Sequence, residues 1–376
     1  YKKGGNGGGL WNGTLGQIDA VEKIENAAFI NNTALTGTEQ QGGAITNAGT
    51  IGMIDGVLFD GNKAGKKGGA FANINSSGDY KGQTATFKNV TFTNNTSGEF
   101  GGAVYNDTKG SLTFQGDNVF AGNTAAGVAN DIHNLGSLTF ADGTTTIGGA
   151  ITGSGSLDLN EGATLNIGAN TINQGTMNIN GNVAASIVNS QSYGKLVGDL
   201  TVGDSAKLTL NIGATGVYNI FADEDLEIAN LTINANYALY NVSMDGSAIV
   251  VETKAVEEIA AATDLTVDTA GVLAGLANSD SYAMGIASLN AQKALEEGNT
   301  EYVEAESAKL KADDKPVAHS VATSVQNQVL SLASGRMSGA ANVGRSGGDL
   351  ADADYGVWAQ GLFNKSKLNG QFDGYT

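Results

Sequence analysis

Two histidines, His133 and His319, are the whole imidazole complement of this chain, and it contains no cysteine. Thiolate zinc sites, multi-imidazole metal sites, His-rich protease motifs and a disulfide framework are excluded on that ground. His133 stands where the preceding repeat has Tyr105, so it is expected at the surface of a repetitive structure and not as a catalytic base; His319 takes the same reading. Asp55, Asp60 and Glu99 occupy scattered turn positions, without the clustered carboxylates that glycan cleavage requires. Asp349, Asp352 and Asp354 miss the spacing of a calcium loop and read as linker. Residues 61–67 have the glycine and lysine of a phosphate loop but neither its four-residue gap nor its closing Ser or Thr. No catalytic, cofactor-binding or metal-binding residue is therefore assigned, and the chain is expected to be no enzyme and to need no cofactor.

The elements that remain are repeats. Phe-x-x-Asn units begin at Phe29, Phe59, Phe92 and Phe120, and each is followed by a Gly-Gly-Ala-apolar-x-Asn unit that closes on Asn47, Asn73, Asn106 or, in a degenerate copy, Asn134. Two alternating motifs at one period predict one coil per repeat, with coils stacked about 4.8 Å apart. The four Phe side chains would form one inward column, and Ile45, Phe71, Val104 and Ile132 another. Asn47, Asn73, Asn106 and Asn134 would form a polar ladder at strand ends, where Asn tolerates the left-handed conformation, and the paired glycines would turn the corners. Beyond Leu135 the motifs fade, but period-two strands continue, as in 156–160 and 207–212, with 240–244 and 249–251 as the last coils. The expected architecture is all-β: a right-handed parallel β-helix of about ten coils, followed by a helical linker. Insertions at 36–41 and 74–84 would project as loops, and Asp79, Tyr80 and Lys81 in the longer one are the candidate partner-binding residues.

Composition agrees with this organisation. Glycine supplies 55 of 376 residues and proline 1, at 41% apolar content, which suits many tight turns around a buried core and neither collagen nor disorder. The 20 basic and 38 acidic residues give a formal charge of -18, which sets nucleic-acid binding aside. No signal peptide opens the chain and no run of about 18 apolar residues occurs, so it reads as a mature fragment trimmed at its front. Five regions follow: a Gly-rich lead at 1–14, the β-helix at 15–251, an acidic helical segment at 252–315, a helix at 316–335, and a linker with the start of a barrel at 336–376. The helix opened by Pro316 would be about 28 Å long, and its Ser, Thr, Asn and Gln residues suit the water-filled lumen of a barrel better than lipid.

The stretch Tyr355-Gly-Val-Trp-Ala-Gln-Gly-Leu-Phe, with Phe372-Asp-Gly-Tyr after it, resembles the opening strands of the autotransporter β-barrel domain. The Gly-Gly-Ala-Ile and Phe-x-x-Asn repeats resemble those of the chlamydial polymorphic membrane proteins, which are autotransporters. The resemblances cover roughly 29–134 and 316–376; the barrel stops after its first hairpin, and 255–315 fits no pattern of that family. Gly203-Asp204-Ser205-Ala206 resembles the nucleophile motif of autotransporter serine proteases, but Ala206 replaces the Gly that should close it. The resemblance implies a surface-exposed passenger acting as an adhesin or display stem. Its partners would be a host or bacterial cell-surface protein or glycan, and the outer membrane through the barrel and its assembly machinery. The alternative is a β-helical glycan-active enzyme, a lyase or hydrolase.

Overall fold

A computed structural model describes residues 8–13, 20–36, 39–75, 83–223, 226, 231–234 and 237–310. The loop with Asp79, Tyr80 and Lys81, the 316–335 helix and the 336–376 strands lie outside the described residues. The chain forms two compact units, one from Tyr1–Asn211, Gly216–Asn236 and Val242–Val251, the other from Ile212–Thr215, Tyr237–Asn241 and Glu252–Thr376.

The first unit is built of long parallel sheets in a β-helix-like arrangement. One ladder runs from Leu10–Asn12 through Ile45–Asn47, Phe71–Asn73, Val104–Asn106, Val128–Asn134, Ala150–Thr152, Thr171–Ile179 and Lys195–Val202 to Phe221–Ala222, parallel at every step. A second begins at Ala20–Glu25 and passes through Thr50–Asp55, Thr84–Lys88 and Ser111–Gln115. A third contains Ala28–Ile30, Leu58–Asp60, Thr91–Thr93 and Asn118–Ala121. Alternate residues of a strand point to opposite faces, so Ser156–Leu159 and Ala163–Gly168 bury every second side chain.

Stacking fixes the interior. Ile45, Phe71, Val104 and Ile132 share one register and are fully buried. The rings of Phe29, Phe59, Phe92 and Phe120 stack in sequence at 5.2, 4.8 and 4.6 Å between centroids. A second column, Phe87, Phe114 and Phe140, stacks at 4.9 and 5.5 Å and meets the first edge-on, as Phe87 does Phe92 at 69°. Offset and edge-on pairs are the arrangements that the ring quadrupole favours.

Two buried amide columns run beside these rings. In the first, Asn12 donates to Asn47, Asn47 to Asn73, Asn73 to Asn106, Asn106 to Asn134 and Asn134 to Gln174, at 2.6 to 2.8 Å. In the second, Asn32, Asn62, Asn95 and Asn123 of the Phe-x-x-Asn units donate each to the next at 2.9 Å. The left-handed conformation expected at Asn47, Asn73, Asn106 and Asn134 occurs elsewhere, at Asn26, Asn31, Asn89 and Asn94. Asn47, Asn73, Asn106 and Asn134 are strand residues paired in parallel, which requires extended backbone. In the Gly-Gly corners the first glycine, such as Gly68, has φ +62, while a Cβ on the second, Gly69, would lie 2.0 Å from the Gly102 carbonyl oxygen. The two glycines answer different needs, a backbone angle and a close approach.

The solenoid narrows at Asp131. Early coils separate equivalent asparagines by 30, 33 and 28 residues, but Asp158 and Asn178 are 20 apart. The lost segment is a short fourth ladder, Thr33–Ala34, Lys63–Ala64, Thr96–Ser97 and Thr124–Ala125. Its last strand folds back antiparallel onto Val128–Asn134 through Ala126 and Gly127, both left-handed. That turn carries Asp131 inward, where it accepts from Asn123 at 2.8 Å and from the Gly149 amide at 2.6 Å. A carboxylate only accepts, so it terminates a column in which every amide donates forward. Burial pushes its pKa up to about 6, against the opposing bonds from Asn123, Gly149 and Gly148.

The 240–251 strands are not further coils. Gly216–Tyr218, Tyr240–Asp245 and Ala248–Thr253 form a separate three-stranded sheet, with Gly216–Tyr218 antiparallel to Ala248–Thr253. Gly246, at φ +62, makes the tight turn between the last two strands, and Asp245-Gly246 is the local hairpin signal that overrides solenoid stacking. The second unit contains α1 (Val256–Thr263), α2 (Val267–Ala277), α3 (Tyr282–Glu296) and α4 (Thr300–Leu310). Thr266 caps α2 by accepting from the Thr269 amide, and Ser288 and Gln292 of α3 are buried against the Tyr240 hydroxyl and the Leu239 amide.

Truncating Phe92 to Ala removes the centre of a fully buried stack, and urea titration should show a loss of about 3 to 5 kcal/mol. Asp131→Asn places an amide donor against another donor and should cost about 1 to 3 kcal/mol. Because burial holds the folded pKa of Asp131 above the ordinary carboxylate value of 3.8, the native state holds the proton more tightly. Its contribution is most favourable in acid and declines as pH rises through about 6, so the stability gap between wild type and Asp131→Asn should shrink over that interval. A gap that stays constant or widens with pH would contradict the buried-carboxylate assignment.

Candidate functional site

The x position of each Gly-Gly-Ala-apolar-x-Asn unit points out of the coil, because its two neighbours point in. Thr46, Ala72 and Tyr105 hold this position, yet all are at most 2% exposed. They are covered by a further column of residues standing just before the glycine pair. Gln41, Lys67 and Phe100 bridge in parallel from coil to coil, and Thr46 donates its hydroxyl to the Gln41 carbonyl. At this corner the solenoid wall is two layers thick.

The two layers together gather three rings and one ammonium. Lys67 Nζ donates to the Tyr105 hydroxyl at 3.1 Å and lies 4.5 Å from the ring centroid. The Tyr105 and His133 rings are parallel to within 5° at 5.7 Å, and Phe100 tilts over His133 at 4.6 Å. His133 Nδ1 is 3.0 Å from Thr152 Oγ1, a hydroxyl that also accepts from the Asn130 amide. Burial pushes the Tyr105 phenol up, more than the Lys67 hydrogen bond lowers it. Burial first, and the Lys67 charge second, hold His133 below its ordinary value. At neutral pH the group is thus a protonated phenol, a neutral imidazole, an exposed phenyl and a cation. Phe100 remains 43% exposed. These groups can stack, donate and accept; they form an amphipathic ledge.

The other candidate residues fall apart in space. Asp55 approaches Lys23 and Asn89, whereas Asp60 accepts from Thr93 and Asn94 at a different corner. Ser205 donates its hydroxyl to the Asn180 carbonyl in a strand turn, and Gly61 is a left-handed corner residue and not a phosphate cradle. Among the described residues no group of three His, Asp or Glu side chains could hold a metal ion.

Motif reading passed over Lys67 and Phe100, although their place before Gly68-Gly69 and Gly101-Gly102 is visible in the sequence. Asn12 at the foot of the amide column closes Gly7-Gly8-Gly9-Leu10-Trp11-Asn12, a further copy of the motif with Gly9 in place of Ala, but Gln174 at its head carries no such signal. No family model matches the chain, and neither a curated protein nor a solved structure shows detectable similarity to it.

Proposed function

We propose that this chain is a surface-displayed passenger that serves as an adhesin or display stem. The observation that carries the reading is the continuity of the first ladder, nine strands from Leu10–Asn12 to Phe221–Ala222 without a break. At about 4.8 Å per coil, such a stack is on the order of 40 Å long, enough to hold a contact surface clear of its base. Each coil stabilises its neighbour, so a chain emerging from one end folds progressively, and that progress favours outward movement. Right-handed coiling, a lumen helix at 316–335 and a barrel beginning in 336–376 belong to the same proposal and rest on the sequence resemblance. So does a binding role for Asp79, Tyr80 and Lys81, with a host or bacterial surface as partner.

Display of the full chain on cells that lack other adhesins tests the proposal. Cells carrying it should adhere to host cells or to one another above cells carrying an empty barrel. Deleting 76–82 should leave the β-sheet circular dichroism and the melting temperature unchanged while weakening adhesion. Adhesion no greater than that of the empty barrel would overturn the adhesin reading.

A further inference from the structure

Resting on the proposed adhesin reading, we propose that the ledge of Phe100, His133 and Lys67 is a glycan-binding surface that takes the apolar face of a pyranose ring. Four observations lead there. First, Phe100 keeps 43% exposure, whereas Phe59, Phe92 and Phe120 of one interior column and Phe87, Phe114 and Phe140 of the other are buried. Second, the phenyl is not loose: it packs on His133, which packs on Tyr105, so the ring is held in place before any ligand arrives. A rigid aromatic costs little ordering entropy on binding and presents the electron-rich face that attracts polarised C–H groups. Third, polar groups sit at the margin of the rings. An ammonium has three donors, and Lys67 directs one to Tyr105; the imidazole of His133, held neutral, uses Nδ1 toward Thr152. An apolar platform with a few fixed donors and acceptors at its edge matches a ligand with a C–H face ringed by hydroxyls.

The fourth observation separates a glycan from an extended peptide. A peptide joining this surface by strand addition needs an unpaired edge. Phe71–Asn73 and Val104–Asn106, beneath the ledge, are each hydrogen-bonded to a strand on both sides. The ledge therefore offers side-chain faces and no backbone edge. The Lys67 ammonium stands at the margin of the rings, so both neutral and carboxylate-bearing sugars belong in the test.

The purified chain would be examined by saturation-transfer NMR against neutral and carboxylate-bearing methyl pyranosides and on an oligosaccharide array. Transfer should be strongest to the ring C–H protons of the bound sugar. Phe100→Ala should weaken binding about tenfold or more with an unchanged melting temperature, since the side chain is half exposed, and Phe100→Trp should retain it. Lys67→Met should weaken binding in addition, and a loss restricted to the carboxylate-bearing sugars would assign the ammonium to the acid group. The proposal is overturned if no pyranoside binds, if Phe100→Ala binds as well as wild type, or if only peptides bind. The two readings fail separately. Cell adhesion that survives Phe100→Ala removes the ledge and leaves the adhesin, whereas glycan binding by the purified chain without cell adhesion removes the adhesin and leaves the ledge.

Discussion

A primary amide buried between stacked coils has donors and an acceptor that must all find partners, and in a parallel stack the matching side chains are on the coils above and below. Asn62 shows the solution: its oxygen accepts from the Asn32 side chain and main chain, and its nitrogen donates to Asn95 and to the Phe29 carbonyl. Leaving one such group unpaired costs about 1 to 3 kcal/mol, so each coil makes the next one necessary. The Phe columns add cohesion, but dispersion between rings tolerates sliding. Hydrogen bonds at 2.6 to 2.9 Å fix which residue of one coil lies over which residue of the next.

The amide columns also have a direction. Each amide donates to the side-chain oxygen of the next coil toward the C-terminus, so a column cannot end on another donor. Asn123 ends on the carboxylate of Asp131, and Asn134 ends on the Gln174 carbonyl oxygen. The first ending coincides with the loss of the fourth ladder. Once the chain turns back at Ala126-Gly127, the coil has no corner at which a further Phe-x-x-Asn asparagine could stand. A buried acid there replaces a coil, and its raised pKa records the desolvation that the closure imposes.

How much of this was legible in the sequence depended on whether a residue's role repeats. Phe29, Phe59, Phe92 and Phe120 recur at one phase, and Ser-Leu-Thr-Phe endings mark Phe114 and Phe140 in the same way. Gly42, Gly68 and Gly101 announce corners, but their second glycines serve a close approach that only the neighbouring coil reveals. The left-handed asparagines were misassigned because motif spacing gives position in a coil and not backbone angle. Asp131 and Gln174 occur once each. A terminus of a repeat is by definition a departure from it, and periodicity is silent there. The hairpin at Asp245-Gly246 had a local signal, which the expectation of continuing coils obscured.

The ledge illustrates how a solenoid can acquire a contact surface without disturbing its stack. Register and amide pairing constrain the inward positions of ladder one in every coil, but the residue before each glycine pair meets neither constraint. It is Gln41 in one coil, Lys67 in the next and Phe100 in the third. The outward x position is free in the same sense, passing from Thr46 through Ala72 and Tyr105 to His133. Two adjacent columns of unconstrained positions, with coils about 4.8 Å apart, form a grid on which side chains can vary while the core stays fixed. Rings close together on such a grid stack on one another, as Tyr105, His133 and Phe100 do. Their rigidity is then inherited from the coil spacing, which ties the recognition surface to the same parallel stacking that holds the fold.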